Sequence, residues 1–263
     1  MSTPMSAAES VPTGPERFGH LEFNAPLAGW RAERLVRELA ATEPALVVDF
    51  GCGQGALLRR LAAAAGQARC LGIDLDAELL RTARAETTAA GLQDRVSFVE
   101  ADAAGWHEGS NEPAPDLVIC VGATHAWGST TAAVSALAEL VAPGGRVLLG
   151  EEFWERPPTD ADLASLWEGA TADELSDLAG LVELATTAGL RPLRIEAVDQ
   201  TEWDDFESGF LADQETWLMA HSDDPRAAKI RAEADEHRSF WLRGQRGLLG
   251  FAYLTLGRPA APA

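Results

Sequence analysis

A short apolar segment that ends beside an acid and runs into a glycine-rich loop is the feature that most restricts how this chain can fold. The segment Leu46–Phe50 reads Leu-Val-Val-Asp-Phe, a composition typical of a buried parallel strand. Glycines follow at positions 51, 53 and 55, and a helical pattern begins at Ala56. Because glycine carries no Cβ, the backbone there can turn sharply and approach a ligand closely. We therefore expect a small-molecule site at the carboxyl end of this strand, where open α/β sheets bind ligands.

The spacing of the glycines separates two classes of nucleotide-like ligand. A dinucleotide-binding loop has the order G-x-G-x-x-G, and the helix N-terminus after it faces a pyrophosphate. Here the order is G-x-G-x-G, Ala56 takes the sixth place, and Asp49 stands at the strand end. A carboxylate at that point repels a pyrophosphate and attracts a cationic group. The segment resembles motif I of the class I S-adenosylmethionine-dependent methyltransferases, whose ligand carries an ammonium and a sulfonium and no phosphate.

A second apolar stretch, Cys70–Asp76, also ends in acids. Asp74 follows the glycine loop by roughly the 20 residues that separate such a loop from a ribose-binding acid. A carboxylate suits that role because it accepts hydrogen bonds from two neighbouring hydroxyls. The resemblance to the family's second motif falls on Asp74. The alternative is that Asp74 caps the helix that starts near Ala77, a role for which Asp76 is better placed.

A third stretch, Val96–Ala103, alternates apolar residues and leads into Asp102. In the methyltransferase family, an acid after the third strand accepts a hydrogen bond from the adenine amino group. The resemblance gives this role to Asp102 and turns the amide of Ala103 toward the adenine edge. The alternative is an ordinary acid at a strand-to-turn junction.

Two later elements complete the series. The apolar run Asp116–Val121 is typical of a central strand, and the segment after it should lie where methyl donor and acceptor meet. Pro143, Gly144 and Gly145 predict a tight turn into a fifth strand, because proline fixes φ and glycine permits positive φ. This helix–turn–strand element resembles a late motif of the same family.

The family resemblance implies both the fold and the cofactor. The fold is a doubly wound, Rossmann-like α/β sheet of seven strands, mostly parallel, with helices on both faces and with strand seven antiparallel between strands five and six. The cofactor is S-adenosyl-L-methionine. The residues predicted to bind it are Asp49, Gly51, Cys52, Gly53, Gly55, Asp74, Leu75, Asp102, Ala103 and Val121.

Methyl transfer from a sulfonium is an in-line displacement, so the enzyme mainly aligns the reactants and excludes water. His125, a few residues after the fourth strand, is a candidate general base because the usual pKa of histidine lies near 6.5. Glu151 and Glu152 follow the predicted fifth strand, and Glu152 is a second catalytic candidate that would also hold a cationic substrate. Trp127 and Trp154 are candidate substrate-binding walls. For each of these residues the alternative is a packing or capping role.

The charge of the chain excludes some partners. It has 41 acidic residues against 21 Lys and Arg, a formal net charge of −20, so a phosphate backbone would be repelled. Two signatures of nucleic-acid methylation are missing from the sequence, an Asn/Asp-Pro-Pro-aromatic segment and a Pro-Cys dipeptide. No run of roughly 18 apolar residues is present, so we expect no membrane span. The pattern therefore favours a small-molecule substrate.

Three cysteines, at positions 52, 70 and 120, lack metal-ligand spacing. They predict free thiols in a reducing cytoplasm and no metal site. Whether the chain is a monomer or a homodimer stays open.

The chain is expected to form one methyltransferase domain over residues 18–258. Residues 1–17 predict a disordered tail without the basic start and apolar stretch of a signal peptide, and 259–263 a flexible end. The domain divides into an N-terminal lid or helix (18–44), the cofactor-binding core (45–151), substrate-side helices with strand six (152–247) and strand seven (248–257). Helical patterns cover Leu27–Ala41, Ala161–Leu166, Ala172–Ala188 and an insertion of two helices between strands six and seven, 200–247.

Two other functions are compatible with this reading. An NAD(P)-binding oxidoreductase shares the fold, but the missing sixth glycine and Asp49 argue against it. A non-catalytic S-adenosylmethionine-binding protein would keep the cofactor pocket without turnover. Titration with each cofactor separates the first alternative, and a turnover assay separates the second.

Overall fold

The computed structural model describes residues 14–106 and 113–260. Its strands are β1 Leu46–Phe50, β2 Arg69–Asp74, β3 Val96–Glu100, β4 Leu117–Val121, β5 Arg146–Trp154, β6 Arg191–Ala197 and β7 Leu249–Gly257. Its longer helices are α1 Gly29–Ala40, α2 Ala56–Ala64, α3 Ala77–Ala89, α4 Thr130–Leu140, α5 Asp160–Leu163, α6 Leu178–Thr187, α7 Gln200–Ala220 and α8 Ala227–Phe240. Most of the predicted tail and the last three residues of the predicted flexible end lie outside the described residues.

All seven strands form one sheet in the order β3-β2-β1-β4-β5-β7-β6. The strands β1 to β5 pair in parallel, whereas β7 pairs antiparallel with both β5 and β6. This confirms the predicted fold, including the place and direction of the seventh strand. The strand order reverses between β1 and β4, which makes a crevice at the carboxyl ends of these strands.

The sheet is covered on both faces because its central strands are apolar on both sides. In β1, Val47 joins the hydrophobic cluster under α1, α2 and α7, whereas Val48 and Phe50 join the cluster under α4 and α6. Side chains alternate along a strand, so Asp49 shares the face of Val47. The sequence pattern thus buries an acid at the end of the central strand.

Side-chain caps determine where several helices begin. Asp76 accepts hydrogen bonds from the amides of Glu78 and Leu79 and starts α3. Asp177 starts α6 at Leu178, later than the predicted start at Ala172, because its side chain accepts from the Gly180 amide. The two predicted helices of the insertion are confirmed as α7 and α8, followed by a π-helical turn, Trp241–Gln245.

Strand β5 is longer than predicted. Its pairing with β7 continues without interruption to Trp154, which lies opposite Leu249. Glu151 and Glu152 therefore lie within the strand and not after it. The strand ends at Trp154, shortly before Pro157 and Pro158, which have no N–H to donate to a sheet.

None of the helices within the described residues has the length and apolar character needed to cross a membrane.

Candidate active site

A cavity of about 350 Å³ opens at the carboxyl ends of β1, β2 and β4. The loop after β1 and the ends of β2 and β4 line it, and residues between 17 and 27 line it from the N-terminal part of the chain. The structure brings together ten predicted site residues in the lining: Asp49, Gly51, Cys52, Gly53, Gly55, Asp74, Leu75, Ala103, Val121 and His125.

The glycine loop is held by hydrogen bonds to the neighbouring strand. The amides of Gly51 and Cys52 both donate to the carbonyl oxygen of Ile73, at 2.8 and 3.1 Å. The amide of Gly53 donates to Oδ2 of Asp74 at 2.8 Å. These loop amides are therefore engaged within the protein, which leaves them unsuited to cradle a pyrophosphate.

Glycine is required at positions 51 and 53 of the loop for different structural reasons. Gly51 has φ +71°, and a Cβ there would lie 2.3 Å from the Cβ of Ala123. Gly53 also has a positive φ, +52°, but a Cβ there would have no heavy atom within 4 Å. The loop thus packs tightly against the segment after β4 at Gly51 and faces open space at Gly53.

Asp74 is fixed at the end of β2 by two backbone donors. Besides the Gly53 amide, its Oδ1 accepts from the Asp76 amide at 2.9 Å. The helix cap is provided by Asp76, so the alternative capping role of Asp74 is not what the structure shows. Hydrogen bonds from the Leu79 amide, and then from Arg17, lower the pKa of Asp76. Asp74 is left with spare acceptor capacity toward the cavity, because each carboxylate oxygen has two lone pairs.

Among the acids that line the cavity, Asp49 has the pKa that is shifted most from its usual value. Its residue is 5% exposed, and no donor among the described residues hydrogen-bonds its carboxylate. Burial, and then repulsion from Asp74, raise the pKa of Asp49 well above its usual value. A ligand cation would replace the hydration that the buried carboxylate has lost.

Contacts with α7 hold the N-terminal segment beside the cavity. The Gly19 amide donates to Oδ2 of Asp213 at 2.7 Å, and Nδ1 of His20 lies 2.6 Å from Oδ1 of the same acid. The ring of Phe18, which lines the cavity, lies 5.8 Å from that of Phe210. The sequence predicts a lid or helix here, but it does not indicate which of its residues line the cavity. The residues that hold this segment in place are in α7, far along the chain.

The catalytic candidates occupy different places. His125 lines the cavity and is exposed in the short 3-10 turn after β4, Thr124–Trp127. Glu152 lies in β5, partly buried and outside the cavity lining. Glu151 is buried on the opposite face of that strand, and its Oε1 accepts from the Glu152 amide at 3.0 Å. Burial raises the pKa of Glu151, although a hydrogen bond with Thr124 opposes the rise.

Three other predicted residues are outside the cavity lining. Asp102 is exposed, and its Oδ1 accepts from the Ala104 amide at 3.1 Å. Trp127 packs edge-on against Phe50 with ring centres 5.5 Å apart. Trp154 is buried, and its Nε1 donates to the carbonyl oxygen of Ala172 at 2.9 Å. The packing alternative accounts for the contacts of both tryptophans, and their substrate role stays a prediction.

Comparison with known proteins relates this arrangement to one family. Residues 47–145 match the family described as "Methyltransferase domain". The Escherichia coli protein YjhP is 33% identical over 212 residues, which is 80% of this chain and 83% of YjhP. The X-ray structure of YjhP matches with a TM-score of 0.79 at 28% identity, covering 93% of this chain and 97% of that one.

Two further similarities name a cofactor product and an activity. A SAM-dependent methyltransferase from Geobacter sulfurreducens, solved with S-adenosyl-L-homocysteine, matches with a TM-score of 0.77 at 25% identity, over 89% of this chain and 92% of that one. Trans-aconitate 2-methyltransferase of Paracidovorax citrulli is 34% identical over 114 residues, 43% of this chain and 41% of that protein. With the strand order and the cavity, these findings show that the chain belongs to the family of S-adenosylmethionine-dependent methyltransferases.

Proposed function

We propose that this enzyme binds S-adenosyl-L-methionine in the cavity at the ends of β1, β2 and β4 and transfers its methyl group to a small molecule. The observation that carries the proposal is the pair of acids, Asp49 and Asp74, beside a loop whose amides already donate to Ile73 and Asp74. This environment favours a cationic nucleoside over one that carries phosphate.

The residues of the cavity fit the parts of this cofactor. Asp74 has acceptor capacity for the ribose hydroxyls, and Asp49 is a buried carboxylate to which no described residue donates a hydrogen bond, which suits an ammonium group. Ala103 lies in the lining beside the predicted adenine contact, Asp102. Gly53 leaves the space that a side chain would fill. When bound, the cofactor supplies a methyl group that its sulfonium has already activated.

The protein's own contribution is alignment, exclusion of water and proton acceptance. The segment of residues 17–27 lines the cavity, and over a bound cofactor it would keep solvent from the reacting atoms. His125 is at the cavity wall after β4, and its imidazole would accept a proton from the acceptor molecule. Alignment of this kind lowers the activation free energy, by on the order of 7 kcal/mol in well-oriented systems.

A small acceptor is favoured by the shape and charge of the molecule. The cavity is lined in part by the protein's own N-terminal segment, and the net charge of −20 opposes a polyanionic partner such as nucleic acid. Trans-aconitate 2-methyltransferase, one of the similar proteins, is named for a small acceptor. We also place the enzyme in the cytoplasm, because Cys52, Cys70 and Cys120 are free thiols.

Calorimetric titration with three ligands tests the cofactor assignment. We expect saturable binding of S-adenosylmethionine and S-adenosylhomocysteine and none of NADH, because the loop amides are already engaged. Binding of NADH alone would support the oxidoreductase alternative instead.

A second experiment separates an enzyme from a non-catalytic binding protein. The protein is incubated with methyl-labelled S-adenosylmethionine and a fractionated metabolite extract, and the products are identified by mass. Label in a small molecule supports the proposal. Tight cofactor binding without labelled product in any fraction would support a binding protein.

A further inference from the structure

A turn of the N-terminal segment, Phe18–Leu21, contacts both the cofactor cavity and helix α7. The amide of Leu21 donates to the carbonyl oxygen of Phe18 at 3.2 Å and closes the turn. Phe18 and Leu21, its first and last residues, line the cofactor cavity. Gly19 and His20, its two central residues, bind α7. The same four residues therefore connect the wall of the cavity to a helix that begins about 180 residues later in the chain.

A single carboxylate of α7, that of Asp213, binds both central residues of the turn. The Gly19 amide donates to Oδ2 at 2.7 Å, and Nδ1 of His20 lies 2.6 Å from Oδ1. An ionised carboxylate only accepts, so the ring nitrogen of His20 that faces it carries the proton. Asp213 is 6% exposed, and within residues 14–106 and 113–260 these are the hydrogen bonds that it accepts. Release of the turn would leave a buried carboxylate without a donor, which costs free energy.

Two glycines allow the turn and α7 to approach closely. A Cβ at Gly209, in the middle of α7, would lie 2.4 Å from Cδ2 of Leu21. A Cβ at Gly19 would lie 2.9 Å from Oδ1 of Asp213. Glycine inside a helix is less favourable than alanine, and the contact with the turn explains why it stands at position 209.

Phe18 has a backbone conformation that is rare for a bulky residue. Its φ is +64°, in the left-handed region that favours glycine. The residue is buried, and its ring lies 5.8 Å from that of Phe210 on α7. Such conformations persist only where the surrounding contacts impose them. The hydrogen bonds to Asp213 come from the two residues that directly follow Phe18, so they are well placed to impose this one.

The other ion pairs of residues 17–22 are more exposed than the contact with Asp213. Arg17 pairs with Asp76, and the side chain of Arg17 is 57% exposed. Glu22 pairs with Arg60, and the side chain of Glu22 is 48% exposed. Exposed ion pairs contribute little to stability, because water and salt weaken them. The position of the turn therefore depends mainly on Asp213.

We propose that Asp213 is a positioning residue for the cofactor, which holds Phe18 and Leu21 against the cavity and so slows release of the bound cofactor. The proposal rests on the proposed methyltransferase function, because it takes the cavity to be the cofactor site. Binding of the cofactor and attachment of the turn to α7 should then stabilise each other, since coupling between two sites is reciprocal.

The first test is the rate at which the full chain releases S-adenosylhomocysteine, measured by surface plasmon resonance on immobilised protein. Asp213→Ala should raise the dissociation rate by on the order of tenfold, the effect of losing hydrogen bonds to a charged group, and should change the association rate less. Asp213→Asn keeps an acceptor for the Gly19 amide and should fall between Asp213→Ala and the parent. Asp205→Ala removes an exposed acid from the same helix and should leave both rates unchanged.

A double-mutant cycle separates this role from a general loss of stability. His20→Ala removes one partner of Asp213 by changing a side chain that is 49% exposed, so it provides the test if Asp213→Ala fails to fold. We expect faster release from His20→Ala than from the parent. Adding His20→Ala to Asp213→Ala should cause no further increase, because both changes act through the same contact.

Hydrogen exchange followed by mass spectrometry detects the attachment of the turn without any ligand. The amides of Gly19 and Leu21 are both hydrogen-bonded. Peptides that contain residues 18–23 should exchange faster in Asp213→Ala than in the parent, and more slowly when S-adenosylhomocysteine is added to the parent.

The proposal is wrong if the Asp213→Ala and His20→Ala proteins release S-adenosylhomocysteine at the parent's rate, or if the effects of the two changes add. It is also wrong if residues 18–23 exchange equally fast in Asp213→Ala and the parent. A parent protein that binds no S-adenosylhomocysteine would instead contradict the proposed function. Exchange without ligand would still decide whether Asp213 holds the turn.

Discussion

Arg31 and Glu202 form a buried, bidentate ion pair that joins α1 to the start of α7. Nε of Arg31 donates to Oε1 of Glu202 at 2.9 Å, and Nη2 donates to Oε2 at 2.5 Å. Each residue is 5% exposed. Glu202 also accepts from the Asp199 amide in the capping box of α7, so one carboxylate serves the helix start and the contact between the two helices.

Breaking this pair on one side should destabilise the protein. Glu202→Gln removes the bidentate partner and leaves the buried Arg31 charge with Glu196 alone, 3.5 Å away, so we expect the free energy of unfolding to fall by about 1–3 kcal/mol. Urea denaturation followed by circular dichroism measures the change. The exposed pair of Arg81 and Glu78 provides the control, and Glu78→Gln should leave the denaturation midpoint nearly unchanged. Equal stabilities for both variants would contradict the structural role of the buried pair.

The glycine loop gives a prediction about packing. Gly51→Ala would place a methyl group 2.3 Å from the Cβ of Ala123 in a backbone with φ +71°, so we expect a loss of stability of at least about 1 kcal/mol together with loss of cofactor binding. Gly66→Ala is the matched control, since a Cβ there has no heavy atom within 4 Å and the residue is exposed. Melting temperature and calorimetry give the two readouts. If Gly51→Ala has the same melting temperature as the parent and still binds S-adenosylhomocysteine, the loop has room for a side chain at position 51 and the prediction is wrong.

Asp74 is the residue on which cofactor affinity should depend most clearly. Asp74→Ala removes the acceptor of the Gly53 amide and the proposed partner of the ribose hydroxyls, so S-adenosylhomocysteine should bind more weakly by on the order of 1–3 kcal/mol. Glu100→Ala changes an exposed acid opposite Asp74 on β3 and should leave the affinity unchanged. Calorimetry that finds the same affinity for Asp74→Ala and the parent would remove Asp74 from the site.

The proposed role of His125 predicts an effect on turnover without an equal effect on cofactor affinity. Once an acceptor is identified, His125→Ala should lower kcat by about a hundredfold, the lower range of general-base effects. The affinity for S-adenosylhomocysteine should change much less, because the cofactor's proposed contacts are elsewhere in the cavity. His221→Ala, at the end of α7, serves as the control. Similar turnover in His125→Ala and the parent would dismiss the imidazole as a base.

Burial, and then repulsion from Glu151, Glu207 and Glu174, raise the pKa of Glu152 to about 7. This shift predicts how stability depends on pH. The folded protein holds a proton on Glu152 up to about pH 7, whereas the unfolded chain releases it near the usual 4.5. The folded state therefore binds more protons between these values, and the contribution of Glu152 is lost as pH rises through about 7. Compared with Glu152→Gln, the parent should lose up to about 3 kcal/mol of unfolding free energy between pH 4.5 and 7. Parallel stability curves for the two proteins would contradict the shifted pKa.

The sequence predicts the sheet and the loop after β1 well because they are built from local patterns. The apolar run of β1, the glycines after it and Asp74 at the end of β2 lie close together along the chain, and the structure brings them into one cavity. The fold of the sheet follows from the same repeats of strand and helix. Such features depend on periodicity and turn chemistry, which a sequence displays directly.

The region around β5 and α7 is harder to predict because pairings between distant residues determine it. Glu151 and Glu152 lie inside β5 only because β7, which comes late in the chain, pairs with that strand to Trp154. The hydrogen bond between His20 and Asp213 links positions from opposite ends of the domain. Nothing local to Glu152 or Glu207 indicates that their carboxyl groups repel one another across the fold.

The two hydrogen bonds that Ile73 accepts from the loop have a thermodynamic consequence. Because Gly51 and Cys52 are already tethered to β2, the loop is preorganised before any nucleoside arrives. Cofactor capture then forfeits little backbone entropy, and more of the favourable contact energy becomes affinity. In the proposed enzyme, the ordering cost of catalysis would instead fall on the segment around Phe18, which lines the cavity and would have to admit two reactants and release two products.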